Sequence, residues 1–518
     1  MAPGPLALRL EQLAAAPSAG TPVWVDEASC LLEAMLRGDG DCGSSADVAI
    51  AAAKFVPAWD PAFAPHALAA WIEEPYARDP WCVAPLPSRA EELLDTLTLS
   101  LEQVSYILSA YVRPLFQPTP RVRAETGRAA PENHGAHPAW DAGEPAWAST
   151  EPRADGHVPL GCHNVLAWLV SHIRARHGAA WETLWPQLIP PVMSWLDTPS
   201  TLAKVRGACV ARRLVQCVPA PLLQRTGVGA MLDDTLAHTL PAMADAAGGR
   251  MVLASVVHAR LALVAARPSA ERYAMLCTLF SQSVLTALSY CAPASASTMG
   301  LPPHAPAHLS ALSSARLQQE LAGTALAIAP AVLDRLGEAA LRFWNAWMDW
   351  CVAWVDHALG ACAAPFPPRG PALSLTDLVD DAVARADGAE APEAATPDAE
   401  AWTKAAHVLL ASVLSAVHAM HTFVDLALAA APSPAPLPGA APGLDAWAVR
   451  AVLALSKCAL RLEALAIEQP HTLVALGTKL QDDIRALCAR LRSASLPALT
   501  HALPRIVAGA PARLAWLV

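Results

Sequence analysis

Apolar residues recur every three or four positions along most of the chain, the spacing that lays a stripe along one face of a helix. The pattern is densest between Trp181 and Pro241, where Leu184, Leu188, Ile189, Val192, Trp195 and Leu196 form such a stripe. Pro190 and Pro191 fall inside it and predict a bend, because proline lacks the amide donor and crowds the preceding turn. Asp197-Thr198-Pro199-Ser200 predicts the end of that helix and the cap of the next. The second helix is predicted to carry Val205, Ala208, Cys209, Leu214 and Val215 inward, with Lys204, Arg206, Arg212 and Arg213 on its outer side. A kinked helix, an aspartate turn and a helix opening on Lys-Val-Arg is the arrangement of a HEAT-type hairpin. Such a unit buries its apolar face only by stacking on neighbours.

The same periodicity predicts short helical patches at about 5–16, 27–36, 46–53 and 62–73, then one longer helix from about 88 to 112. Residues 117–160 are rich in proline, glycine and charge and predict a long irregular loop. Helices resume at 161 and continue through about 231–246, 251–266 and 270–291, the central HEAT-like core of residues 161–291. After a break at 292–306, helices at about 307–328 and 331–361 open a C-terminal helical region, 307–518. A further break at 363–370 precedes flexible segments near 387–400 and 432–443, which flank a helix at 402–430. With the N-terminal helical region of residues 1–116, the fold class is all-α: an α-solenoid of HEAT/armadillo-like helical hairpins with long irregular loops.

Composition sharpens this picture. Hydrophobic residues make up 54% of the 518 and charged ones only 16%, much of the excess being alanine, a strong helix former. The net charge of −10 offers no basic field for nucleic acid. The start lacks a basic region followed by an unbroken apolar core, so no secretory signal is expected. Twelve cysteines without a Cys-x-x-Cys pair suit reduced, mostly buried thiols. Residues 408–431 are long enough to span a bilayer, but they contain His418, His421 and Asp425 and lack an aromatic belt, which favours a buried helix over a membrane span.

Residues that carry chemistry are few, and no catalytic, cofactor-binding or metal site is expected. No phosphate loop, nucleophile elbow or His-Glu-x-x-His helix occurs. His418, His421 and Asp425 share one helix face at steps of three and four, but no fourth metal ligand suggests itself, and histidines satisfied by their surroundings are the simpler account. Asp233-Asp234 and Asp380-Asp381 are paired carboxylates by sequence and, more simply, decorations of a solvated helix face. Cys162 and His163 are adjacent, which turns them to different sides of a helix and argues against a dyad.

Trp344, Trp347, Trp350 and Trp354 crowd one helix at steps of three, three and four. Core packing between layers is the plain expectation, and an aromatic patch for a partner helix is the sharper one. Arg121, Arg123 and Arg128 lie in the long loop, and Lys204, Arg206, Arg212, Arg213 and Arg225 cluster around the hairpin. They fit either an acidic segment or, more simply, a solvated face.

The run IPPVMSWLD with Pro190, Pro191, Leu196 and Asp197, then Lys204 and Gly207, then LLQRTGVGAML with Arg225, Thr226 and Gly227, resembles the middle of the Tel-two-interacting family's second member (the Tti-Two family). Upstream, YILSAYVRPLFQPTPRV, with Pro114 and Phe116, resembles that family's entry segment. The sequence departs at Thr198, where the family often has a second aspartate. The resemblance implies a non-catalytic α-solenoid in the Triple-T complex, with Tel-two and the first Tel-two-interacting protein as partners. It implies work with the Hsp-ninety chaperone and its co-chaperones in maturing phosphatidylinositol 3-kinase-related kinases, in cytoplasm and nucleus, with no cofactor, nucleic acid or membrane. The residues read without it leave open a generic HEAT/armadillo adaptor in transport or complex assembly, and a helical enzyme or membrane protein.

Overall fold

The computed structural model describes residues 5–14, 22–39, 42–58, 82–116, 161–244, 248–291, 315–361, 399–429, 441–465, 471–494 and 496–517. Among them every regular element is helical, so the fold is all-α. The expected helix at 62–73, the loop at 117–160, the breaks at 292–306 and 363–370, and most of the 387–400 and 432–443 segments lie outside the described residues. The chain forms two compact units, Met1–Met275 and Leu276–Val518. Residues 276–291, grouped by sequence with the central hairpins, belong to the second.

In the first unit α1 (Pro5–Ala14), α2 (Pro22–Arg37), α3 (Ser45–Ala53) and α4 (Leu86–Thr96) pack on one another. The single helix expected over 88–112 is instead two. Leu97 turns to an extended backbone, and Ser100 opens α5 (Leu101–Tyr106) with a capping box. Gln103 N donates to Ser100 Oγ at 3.2 Å and Ser100 N to Gln103 Oε1 at 2.8 Å, which satisfies two orphan amides at once. The helix runs on through a π turn, Ile107–Val112, into a last turn at Arg113–Leu115.

Hairpins then stack in two rows. α5 with its π turn, α7 (Trp181–Asp197) and α10 (Val228–Thr239) form one row; α6 (Gly161–Arg176), α8 (Thr201–Cys217) and α11 (Gly249–Ala266) form the other. Each helix touches its neighbour along the row, and α7 with α8 and α10 with α11 are paired across it. Asn164 ties α6 to the end of α3, accepting from Ala58 N at 2.9 Å and donating to the Lys54 carbonyl at 2.8 Å. Short α9 (Ala220–Thr226) and α10 join at Gly227, whose φ of +71° is a left-handed conformation that glycine adopts without a Cβ penalty.

α12 (Ser269–Leu279) spans the division and continues through a π turn, Phe280–Leu285, to Thr286–Tyr290. In the second unit α13 (Ala315–Leu336), α15 (Ala399–Ala429) and α17 (His471–Ser493) form one row; α14 (Trp344–Ala361), α16 (Ala441–Leu465) and α18 (Pro497–Ala508) form the other. A helix boundary was expected at 328–331, yet α13 runs straight through Pro330 and stops where Gly337 turns left-handed at φ +56°. Ion pairs stitch neighbours in the rows. Arg450 meets Asp349 at 2.5 Å, and one heptad on Lys457 meets Asp356 at 3.1 Å, which fixes the register of α16 on α14. Asp445 of α16 accepts from Ala498 N at 2.9 Å and so caps α18 from the preceding layer.

Among the described residues two helices, Gly249–Ala266 and the Leu410–Leu428 part of α15, are long and apolar enough to cross a membrane, and both are mostly buried within the protein. Such segments equally make the core helices of a stacked array.

Candidate interaction surface

The α7–α8 hairpin is built around Trp195. Its indole is buried, with Phe116 edge-on at 5.0 Å and 82°, and with His163 of α6 edge-on at 6.4 Å and 81°. Gly207 of α8 faces it, and a Cβ built there would lie 2.8 Å from Trp195 Cβ and 3.2 Å from Leu196 N. The predicted inward stripes of both helices are buried, Leu184, Leu188, Ile189, Val192 and Leu196 on α7 and Val205, Ala208, Cys209, Leu214 and Val215 on α8. Ser200, the last residue of the Asp197–Ser200 run, caps α8, its Oγ accepting from Ala203 N at 3.2 Å. Asp197 is exposed. α7 accommodates Pro186, Pro190 and Pro191 without interruption, Pro190 exposed and Pro191 buried.

The remaining motif residues divide between surface and packing. Pro114 is exposed in the turn before Phe116, and Lys204 is half-buried. Arg225 pairs with Glu182 of α7 at 2.5 Å, both exposed, a contact of small energetic weight. Thr226 Oγ1 donates to the Leu222 carbonyl at 2.8 Å at the end of α9, beside Gly227. Arg206, expected on the outer side, is instead 4% exposed in the α8 interior. Arg212 and Arg213 are half-buried, while Arg121, Arg123 and Arg128 lie outside the described residues.

The tryptophan patch is interior. Trp347, Trp350 and Trp354 are 0%, 9% and 3% exposed, which corrects the expectation of a partner surface for these three; the side chain of Trp344 lies outside the described residues. Trp347 packs at 5.3 Å on Phe280 and stacks at 6.1 Å on Phe423. Trp350 stacks on Trp354 at 5.1 Å and donates from Nε1 to the Leu288 carbonyl at 3.1 Å, and Trp354 Nε1 donates to Ser412 Oγ at 3.2 Å. Trp350 and Trp354 are thus buried with their N–H groups satisfied, whereas the buried Nε1 of Trp347 has no hydrogen-bond partner and that ring is held by its aromatic contacts.

The groups weighed for chemistry are structural. Asp233 is held by Arg260 of α11, Nε to Oδ1 at 2.7 Å and Nη2 to Oδ2 at 3.2 Å, while Asp234 is exposed; Asp380-Asp381 lies outside the described residues. His421 bonds the Asp483 carbonyl at 3.0 Å and Asp425 pairs with Arg490 at 2.9 Å, so two of the three residues weighed as metal ligands pack α15 against α17, while His418 is exposed. Among the described residues no His, Cys, Asp and Glu cluster could hold a metal ion. Burial pushes the Cys162 thiol up to about 12 against the opposing pull of Lys54, so it is no thiolate beside His163. Burial likewise raises the thiols of Cys291, Cys351 and Cys488, and no described cysteine is in a disulfide.

A cleft of about 410 Å³ lies in the first unit, lined by Glu91 and Asp95 of α4, Trp168, His172 and Arg176 of α6, and Arg213 of α8. His172 leans on Trp168, ring centroids 5.1 Å apart, with His177 at 5.9 Å. Burial, then His177 and Arg176, hold its imidazole below the usual histidine range, so it is neutral at pH 7.

Rows of paired helices held by buried aromatic clusters define a stacked-hairpin, all-α protein. The family model of the Tti2 family matches residues 66–351, more than half of the chain and the whole of the α5–α11 stack. The chain belongs to the Tti2 family, a scaffold family tied to the Triple-T complex. No curated protein and no solved structure matches the chain.

Proposed function

We propose that this chain is a non-enzymatic scaffold subunit of the Triple-T co-chaperone complex. It joins homologues of Tel-two and of the first Tel-two-interacting protein, and with the Hsp-ninety machinery it supports the maturation of phosphatidylinositol 3-kinase-related kinases in cytoplasm and nucleus. The observation that carries this reading is the family match over 66–351, which coincides with the stacked hairpins around Trp195. Stacked helices leave long lateral faces, and such faces grip other helical proteins by burying apolar side chains. Asp233, weighed for acid-base work, and Asp425, weighed as a metal ligand, instead hold helices together through Arg260 and Arg490. Affinity purification of the tagged chain from its source cell, read by mass spectrometry, tests the proposal. Recovery of Tel-two-like and kinase-related chains is expected; recovery of neither, or of importin-type cargo and small GTPases instead, contradicts it.

A further inference from the structure

The cleft between α4 and α6 is divided by charge. Glu91 and Asp95 stand one helical turn apart, which puts both carboxylates on one wall. Trp168, His172 and Arg176 follow at successive turns of α6, so the opposite wall runs from aromatic to basic, and Arg213 of α8 adds a second guanidinium. Several opposite charges elsewhere in this unit are closed onto each other: Arg89 on Glu33, Arg225 on Glu182, Arg260 on Asp233 and Arg267 on Glu271. Here, among the described residues, no ion pair joins Glu91 or Asp95 to Arg176 or Arg213, although all four line one cleft. His172 Nε2 is buried and has no hydrogen-bond partner. The walls therefore stand apart with their ionic capacity unused, around a space that suits a few side chains rather than a whole domain.

We infer that this cleft is a docking slot for an amphoteric segment of a partner protein, one that presents Lys or Arg to Glu91 and Asp95 and Asp or Glu to Arg176 and Arg213. The stem of the incoming cation lies along Trp168, where the indole face attracts it and apolar methylenes are desolvated. The carboxylate meets two guanidiniums, the donors best suited to it, through charge-assisted bonds. A purely basic segment would leave the arginines facing like charge, and a purely acidic one would leave Glu91 and Asp95 so, which gives the slot selectivity as well as affinity. The inference rests on the scaffold reading in one respect only, that the ligand is a protein segment.

The test uses the full chain and three fluorescein-labelled helical peptides: one with Arg and Glu on opposite flanks, one with Arg only, one with Glu only. Fluorescence anisotropy is expected to show the amphoteric peptide binding about tenfold or more tighter than either control, the worth of one charge-assisted contact. Glu91→Arg with Asp95→Arg should remove that preference, and adding Arg176→Glu and Arg213→Glu should restore it, since the quadruple exchange again leaves oppositely charged walls. Far-UV circular dichroism of each variant keeps a folding defect separate. Equal binding of all three peptides, binding of free zwitterionic amino acid in place of peptide, or a preference that survives the double exchange would overturn the slot. These results leave the affinity purification untouched, so the slot and the scaffold reading fail separately.

Discussion

Gly207 of α8 lies against Trp195 of α7 so closely that an added Cβ would sit 2.8 Å from the tryptophan's own Cβ. The second nearest atom is the backbone nitrogen of Leu196, which cannot swing away as a side-chain end can. Gly207→Ala should therefore cost about 1–3 kcal/mol by overpacking, and Gly207→Trp should break the hairpin. Denaturant midpoints check this: an unchanged midpoint for Gly207→Trp would show that the two helices do not meet here.

Trp347 has no exposed surface, and it joins Phe280, Phe423 and, through Phe280, Phe343 in one aromatic cluster. Trp347→Ala should destabilise the second unit by about 3–5 kcal/mol, as for other large-to-small core changes. A variant that melts like the parent but loses a partner would instead place this ring at an interface.

The helices were legible because their apolar stripes repeat at three and four, and the stripes of α7 and α8 are buried residue for residue. The break at Leu97–Ser100 was not, because Leu93, Leu97, Leu101, Val104 and Leu108 keep helical spacing across it; only Ser100 with Gln103 marked the new start. Pro330 misled in the other direction, since packing holds α13 through it while Gly337, with its positive φ, supplies the stop. Arg206 was placed outside because charge usually is, but long side chains also cross interiors. The tryptophan run signalled importance without saying whether it was core or surface. The cleft was invisible because its walls come from residues 91–95, 168–176 and 213, which only the fold brings together.

Arg260 is 3% exposed and Asp233 19%, and two bonds join them between α10 and α11. Removing the Asp233 carboxylate takes a counter-charge from a buried guanidinium, so Asp233→Asn should cost about 3–5 kcal/mol, whereas Arg260→Met with Asp233→Leu should recover most of it. Chemical denaturation of the single and double variants is the check. Equal stability of Asp233→Asn and the parent would contradict the pairing.

His172 is held below its ordinary pKa of 6.5 by burial, with His177 and Arg176 adding to the effect and Glu91 and Asp95 across the cleft. The unfolded chain then takes up a proton near 6.5 that the folded chain still refuses, so stability is full above that pH and falls as pH drops below it. His172→Gln should flatten the stability profile below pH 6.5 and leave the profile above it in place. A parent profile with the same slope as the variant would show that the imidazole is not shielded from protonation.

The central claim, that stacked helix faces of this Tti2-family chain hold other proteins, is tested most directly by co-expression of the full chain with homologues of Tel-two and of the first Tel-two-interacting protein. Size-exclusion chromatography with light scattering then reads the mass of what elutes. The account predicts one stoichiometric complex that contains this chain and that Gly207→Trp prevents from forming. Elution of the parent chain by itself, folded and apart from both partners, would contradict it.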